Sequence, residues 1–284
     1  MTKDWSGWVG REQTASDRLH EALSARWLAT FDLPALPAGT MPQGIHFCLC
    51  TPDAPTGALA KDGHPERDDS TDSFLPPVPL PRRMWAASAI RFHTSMATGA
   101  DVQRTSRIAS VTPKSGRTGD MVFVDVAHDT FADGELAVSE TQTLVYREAA
   151  PADAPLSPPE TGEAQFDPSA WDTCRTLTPD SRLLFRYSAL TFNSHRIHYD
   201  LPYAQGEERY RGLVVHGPLT ASLLLQLAAG QLGDNRLTRF AFRGVSPAIA
   251  GEPLHLVMRT SDDGYELAAF APDGRQVTKA SASV

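Results

Sequence analysis

Cysteine is scarce in this chain. Cys48, Cys50 and Cys174 are the only three, too few and odd in number for a disulfide framework, and a reducing cytoplasm is the compartment that suits them. No stretch approaches the ~18 consecutive apolar residues of a membrane span. The start, Met1-Thr2-Lys3-Asp4-Trp5, is polar and has no apolar core behind it, so it does not read as a secretory signal. A dense basic run is also missing and the formal net charge is -8, which argues against nucleic acid or an anionic membrane as partner. The helical His-Glu-x-x-His pattern is absent, and no acidic third ligand stands out beside His195, His198 and His216. No metal and no cofactor are therefore expected.

What remains is ordinary globular composition, 41% hydrophobic and 21% charged over 284 residues, enough for one large domain or two small ones. From about Gly10 to Phe31 the chain reads as a helix, because Leu19, Leu23, Trp27 and Phe31 recur every four positions. Thr51 to Pro81 is a long loop rich in Pro, Asp and Gly, in which Asp62-Gly63-His64-Pro65 reads as a turn. Before it, His46, Cys48 and Cys50 read as one face of an apolar strand. Strands are expected from Ser88 to Arg147, with Asp133-Gly134 as a hairpin turn. Residues 151–168, rich in Pro, Ala and Glu, read as a linker between a half at 1–150 and a half at 169–284. Thr178 is expected to cap a short helix with Pro179 at its first position, burying Leu183, Leu184 and Tyr187. Leu219 to Leu232 is a second helix, apolar nearly all round, that must be enclosed. Four strands with turns at Asp263-Gly264 and Asp273-Gly274 complete the chain. A weak repeat relates Ile90-Arg91-Phe92-His93 to Phe240-Ala241-Phe242-Arg243, which suggests two similar halves.

The chemistry concentrates in Asn193-Ser194-His195-Arg196-Ile197-His198-Tyr199-Asp200 and in His216-Gly217-Pro218. His198 can take and give a proton near neutral pH. Asn193 can only orient water or ligand. Gly217 stands where a helix begins, and an unpaired amide there can polarise a carbonyl oxygen as charge develops on it.

These segments resemble the hydratase-2 motif of MaoC-like enoyl-thioester hydratases, Asp-x-Asn-Pro-Ile/Leu-His-x-Asp, and the family's entry into its central helix. With Leu190-Thr191-Phe192-Asn193 and Pro79-Leu80-Pro81-Arg82-Arg83-Met84-Trp85, the chain looks most like one branch. That branch holds fungal mitochondrial 3-hydroxyacyl-thioester dehydratases and bacterial mesaconyl-C4-CoA or itaconyl-CoA hydratases. The resemblance implies an α+β double hot-dog, two curved antiparallel sheets each wrapped around a central helix, with a non-catalytic first half helping to form the pocket. It implies reversible hydration of an enoyl-CoA, or dehydration of a 3-hydroxyacyl-CoA, with short branched dicarboxylyl-CoA thioesters among the candidates. His198 and Asn193 carry over as the catalytic positions, although Asn193 falls where the wider family has aspartate. Gly217, His216 and His195 carry over as the oxyanion and substrate-contacting set. Arg82, Arg83 and Arg196 are candidates for the CoA phosphates or a substrate carboxylate. The first half has no counterpart of either motif, so one active site per chain is expected, with a homodimer of such chains left open. Two rival readings stand beside this one: an acyl-CoA thioesterase on the same fold, and a catalytically silent acyl-CoA-binding protein.

Overall fold

The β-branched runs become long paired strands. The computed structural model describes residues 4–116, 119–163 and 165–284; Met1, Thr2 and Lys3, part of the amino-terminal reading, lie outside the described residues. The chain starts with strand β1 (Glu12–Arg18) and helix α1 (Glu21–Thr30). After the long loop come β2 (Arg82–Phe92), β3 (Asp101–Gly116), β4 (Gly119–Ala132) and β5 (Glu135–Arg147). The second part runs β6 (Thr173–Leu177), α2 (Ser181–Thr191), α3 (Leu201–Gly206) and α4 (Gly217–Leu232). It ends with β7 (Arg239–Gly244), β8 (Leu254–Ser261), β9 (Gly264–Phe270) and β10 (Gln276–Ser283).

The ten strands form one sheet in the order β1-β3-β4-β5-β2-β7-β10-β9-β8-β6. That order is symmetric about its centre, where β2 and β7 pair antiparallel with Ala89 opposite Ala241 and Ile90 opposite Phe240. The two segments that look alike in sequence are therefore neighbours in space. The double hot-dog expectation holds, and two particulars differ from it. Pairing of β2 with β7 removes two sheet edges and makes one continuous sheet instead of two. Among the described residues only the second part has a long central helix; between α1 and β2 lie the short 3-10 turns Pro37–Gly39, Ile45–Cys48 and Thr56–Ala58, because closely spaced prolines and glycines interrupt any helical run.

Helix α4 carries the core. Leu219 to Ala228 are all buried, and the helix packs against β8 and β9. Pro218 sits in its first turn and Gly233, at φ 94°, ends it. Trp27, Ile90, Leu224 and Phe240 belong to one continuous apolar cluster that crosses the chain's two parts. A second cluster, built on Val122, Val124 and Val126 of β4, lies under Trp5, Val78 and Leu80. Leu224 is fully enclosed, so Leu224→Ala is expected to cost ~2–5 kcal/mol, read as a lowered urea midpoint at unchanged m-value.

Three local expectations are corrected. The helix read over Gly10 to Phe31 is half strand: Glu12–Arg18 pairs with β3 as an edge strand, and its residues are too polar for a buried helical face. Helix α1 begins only after His20, whose ring nitrogen accepts from the Leu23 amide. Helix α2 is capped by Asp180 rather than Thr178, its carboxylate accepting from the Leu183 amide at 2.9 Å, so Pro179 stays outside. His46, Cys48 and Cys50 share no strand; Ile45–Cys48 is a 3-10 turn and Cys50 has φ 49°. The stretch read as a linker is pinned down, with the Ser157 amide donating to the Arg209 carbonyl and the Arg211 amide to the Ser157 carbonyl. No helix of the described residues is long and apolar enough to cross a membrane.

Candidate active site

Helix α2 stops at Phe192, whose left-handed φ of 48° turns the chain out of the helix. Asn193 then accepts a hydrogen bond from the His195 amide at 3.0 Å. This fixes the start of the 3-10 turn Arg196–His198. It also occupies one lone pair of the Asn193 oxygen, leaving the second and the side-chain NH2 for a ligand. Asp200 accepts from the Tyr203 amide to cap α3 and binds Arg196 at 2.9 and 2.7 Å. Arg196 also donates to the Lys61 carbonyl and lies over the Tyr203 ring. Arg196 therefore braces this loop, its guanidinium already bonded to Asp200 and to the Lys61 carbonyl.

His198 is buried, and its Nδ1 lies 2.7 Å from the Val214 carbonyl. A carbonyl only accepts, so Nδ1 carries the hydrogen and Nε2 keeps a free lone pair. Burial, followed by the nearby His195, pushes the His198 imidazole down to about 3, so it is neutral and basic in form across the physiological range. His216 stacks on its ring at 3.5 Å and hydrogen-bonds the Ser188 hydroxyl at 2.9 Å. Tyr187 closes the far side of His216. His216 thus holds the plane of His198 from behind. The His195 ring stands edge-on to His198 at 5.5 Å.

Gly217 is the first residue of α4, directly after His216, and unlike the buried His216 it is exposed. A side chain there would meet nothing closer than the Trp85 carbonyl at 4.0 Å, so protein packing alone does not call for glycine. First-turn amides have no acceptor within their helix, which leaves this one for a ligand. His198, His195, His216, Gly217 and Asn193 all line one cavity of about 1870 Å³.

The arginines differ. Arg82 lines that cavity but is paired with Glu208 at 2.5 Å and lies over Tyr210, so its charge is already balanced. Arg83, Arg147 and Arg243 line the same cavity and have no carboxylate partner among the described residues. The cross-strand register sets Arg82 opposite Arg147 and Arg83 opposite Tyr146.

The sequence reading gave no site role to Asp62, His64, Ser88 or Glu140, and two of these meet His195, which it did single out. Asp62, His64 and His195 bring one ligand-type atom each within 4.8 Å of one another. Deeper in the first part, Glu140 accepts from the Ser88 hydroxyl at 2.5 Å, and Trp85 donates to Ser88 at 2.8 Å. Burial raises the Glu140 carboxyl to about 7 and lowers His46, 3.8 Å away, to about 3, so a neutral imidazole faces a carboxyl that titrates near neutrality. Only the long-range strand pairing brings these residues together; nothing local in the sequence marks them.

Burial lowers the imidazoles of His46, His128, His195, His198 and His216. Unfolding lets these five bind protons that the native state refuses, so stability drops as pH falls from about 6.5 toward 4. Glu140 acts the other way between 4.5 and about 7, one group against five. The urea midpoint is expected to be lower at pH 5 than at pH 7.5.

The fold is a double hot-dog, and its cavity brings the histidine motif and the start of α4 together. The profile of the family described as hydroxyacyl-thioester dehydratase type 2 matches residues 44–250, and the chain belongs to that family. It is similar to the mesaconyl-C(4)-CoA hydratase of Chloroflexus aurantiacus, with 40% identity over 95% of this chain and 94% of that protein. The fold is shared with HtdX of Mycobacterium tuberculosis, at TM-score 0.65 and 16% identity over 96% of this chain and 99% of the other. A second Mycobacterium tuberculosis protein, described as having a double hotdog fold, matches at TM-score 0.54 and 15% identity over 96% of this chain and 94% of the other.

Proposed function

We propose that the protein adds water across the double bond of an enoyl-CoA thioester and catalyses the reverse dehydration, acting on a short branched dicarboxylyl-CoA such as mesaconyl-C4-CoA or itaconyl-CoA. One observation carries the reading: the free Nε2 of His198 and the first-turn amide of α4 at Gly217 open onto the same cavity. The relative of 40% identity, a mesaconyl-C(4)-CoA hydratase, supports the choice of acyl group. No metal or other cofactor enters the reaction; CoA is part of the substrate.

In this reading the thioester carbonyl accepts from the Gly217 amide. His198 Nε2 takes a proton from water while the water oxygen bonds to the β-carbon. The electron pair of the double bond moves toward the carbonyl, where the helix-end donor stabilises the enolate. Protonation at the α-carbon completes hydration. Asn193 contributes its NH2 and the shape of the loop. His216 and His195 position His198. Residues 1–150 supply one wall of the pocket, residues 169–284 the motif, and 151–168 connect them. A cytoplasmic location fits three unpaired cysteines, two of them buried.

The unpaired Arg83, Arg147 and Arg243 suit the phosphates of CoA. Arg83→Ala is expected to raise KM for the CoA thioester ~10-fold with kcat little changed, the pattern of a lost ground-state contact. Equal losses in kcat would place Arg83 in the chemistry instead. The assay for the function follows enoyl-thioester absorbance and free thiol in parallel with mesaconyl-C4-CoA. Loss of absorbance without thiol release is expected. Thiol release as the sole change would make the protein a thioesterase, and tight binding without turnover would make it a silent acyl-CoA binder.

A further inference from the structure

A loop from the chain's first part is fastened onto the histidine motif of the second. The Arg196 amide donates to the Asp62 carbonyl at 2.8 Å, the Ser194 hydroxyl to the Gly63 carbonyl at 2.6 Å, and Arg196 to the Lys61 carbonyl at 3.0 Å. The contact is so close that a Cβ on Gly63 would lie 1.9 Å from the Ser194 carbonyl oxygen. This docking sets the His64 ring 4.1 Å from His195, and both line the cavity that holds His198.

The loop also carries a carboxylate that serves its own histidine. Asp62 accepts from the His64 amide at 3.0 Å through one oxygen and faces His64 Nδ1 at 3.0 Å through the other. Burial alone would raise the Asp62 carboxyl, but the hydrogen bond and charge of His64 outweigh it and hold the group at about 2. Asp62 is therefore an anion, its partner nitrogen Nδ1 is the donor, and His64 Nε2 is left for other partners. Meanwhile Asn193 cannot titrate and its oxygen holds a backbone amide. Asp200, the one carboxylate of the motif, is bonded to Arg196 and to the Tyr203 amide, so the carboxylate beside the histidine cluster comes from the distant loop.

We propose that Asp62 and His64 form the second proton-transfer pair of the active site, His64 exchanging a proton with the substrate α-carbon while Asp62 orients it. The proposal rests on the hydratase reading. In hydration, His198 Nε2 removes a proton from water as the new carbon–oxygen bond forms at the β-carbon. The carbon–carbon π pair becomes the enolate, and the α-carbon then bonds the proton that leaves His64. The sum is one water added and one proton moved from His64 to His198. His195, 4.1 Å from His64 and 5.5 Å from His198 between ring centres, neighbours both and serves its return. The reactive form carries one proton on the pair of imidazoles, held by His64 beside its carboxylate. The titratable groups that face His64 are Asp62 on its loop and His195 and His198 on the motif, with Arg67 and Tyr203 of α3 acting on Asp62 and Arg82 of β2 acting on His195.

The test compares wild type, His64→Ala and Asp62→Asn in the mesaconyl-C4-CoA assay as a function of pH, with and without added imidazole, and after exhaustive chelation. His64→Ala should lose ~10²–10⁴-fold in kcat, lose the alkaline limb of the kcat/KM profile, and recover at least about tenfold with imidazole. Asp62→Asn, a positioning change, should lose less and keep a displaced alkaline limb. Should the alanine variant not fold by circular dichroism, His64→Gln takes its place and is expected to lose the same limb. Wild-type kcat in the His64 variants, a lowered kcat with unchanged profile and no rescue, or activity that chelation removes and a divalent cation restores would each overturn the proposal. A wild type that hydrates no enoyl-CoA would instead sink the hydratase reading itself, so the two failures are distinguishable.

Discussion

His198→Ala is expected to lower kcat by ~10²–10⁴-fold while KM changes little, since the imidazole acts on the reacting atoms rather than on CoA. The physical ground is the fixed tautomer. With Nδ1–H held by the Val214 carbonyl at 2.7 Å and His216 stacked at 3.5 Å behind the ring, Nε2 has one orientation and no hydrogen-bond partner among the described residues. Burial keeps the group at about 3, so its basic form is complete above roughly pH 4 and its own titration contributes no limb near neutrality. Asn193→Ala should lose far less activity than His198→Ala, because the asparagine oxygen is engaged with the His195 amide and the residue cannot carry a proton. Steady-state kinetics on the two purified variants check the ratio. Comparable small losses would remove His198 from the chemistry.

Gly63→Ala is the second change expected to act strongly, and it touches no reacting atom. Gly63 has φ 88°, and an added Cβ would fall 1.9 Å from a backbone oxygen of the motif loop. Neither atom sits on a flexible side chain, so the two loops must separate. A shift of about 1 Å in positioned groups can cost ~10²-fold in rate, and overpacking of this kind costs ~1–3 kcal/mol in stability. Gly63→Ala is therefore expected to lower kcat/KM ~10²-fold together with a measurable drop in thermal midpoint. Gly57→Ala, on the same long loop where a Cβ meets nothing within 4 Å, is the matched control and should be nearly silent.

The sequence made the second half easier to read than the first. His198, Gly217 and the buried Leu219–Leu232 helix are encoded locally, by a short motif and by a run too apolar to face water. The strands from Leu254 to Ser283 follow from alternation and two Asp-Gly turns. The resemblance carried the double hot-dog, but one continuous sheet depends on β2 meeting β7, a pairing between segments about 150 residues apart that no local pattern fixes. The edge strand Glu12–Arg18 was hidden because its exposed polar residues form no alternating apolar face, while Leu19 and Leu23 extended a helical period across the boundary. Arg196 looked like a ligand-binding cation because its partner Asp200, four residues on, competes for it only once the 3-10 turn has formed. Asp62 and His64 looked like a turn, and they are one; their chemistry arises from where the turn docks.

The central claim is that His198 and the Gly217 amide act on one bound acyl group. The most direct test is a crystal structure with a saturated, unreactive analogue of the CoA thioester. The account predicts the thioester oxygen within hydrogen-bond distance of the Gly217 nitrogen, the β-carbon facing His198 Nε2, and the phosphates near Arg83. An acyl group lodged elsewhere, with the Gly217 amide bonded to solvent or protein and His198 out of reach of the β-carbon, would contradict it.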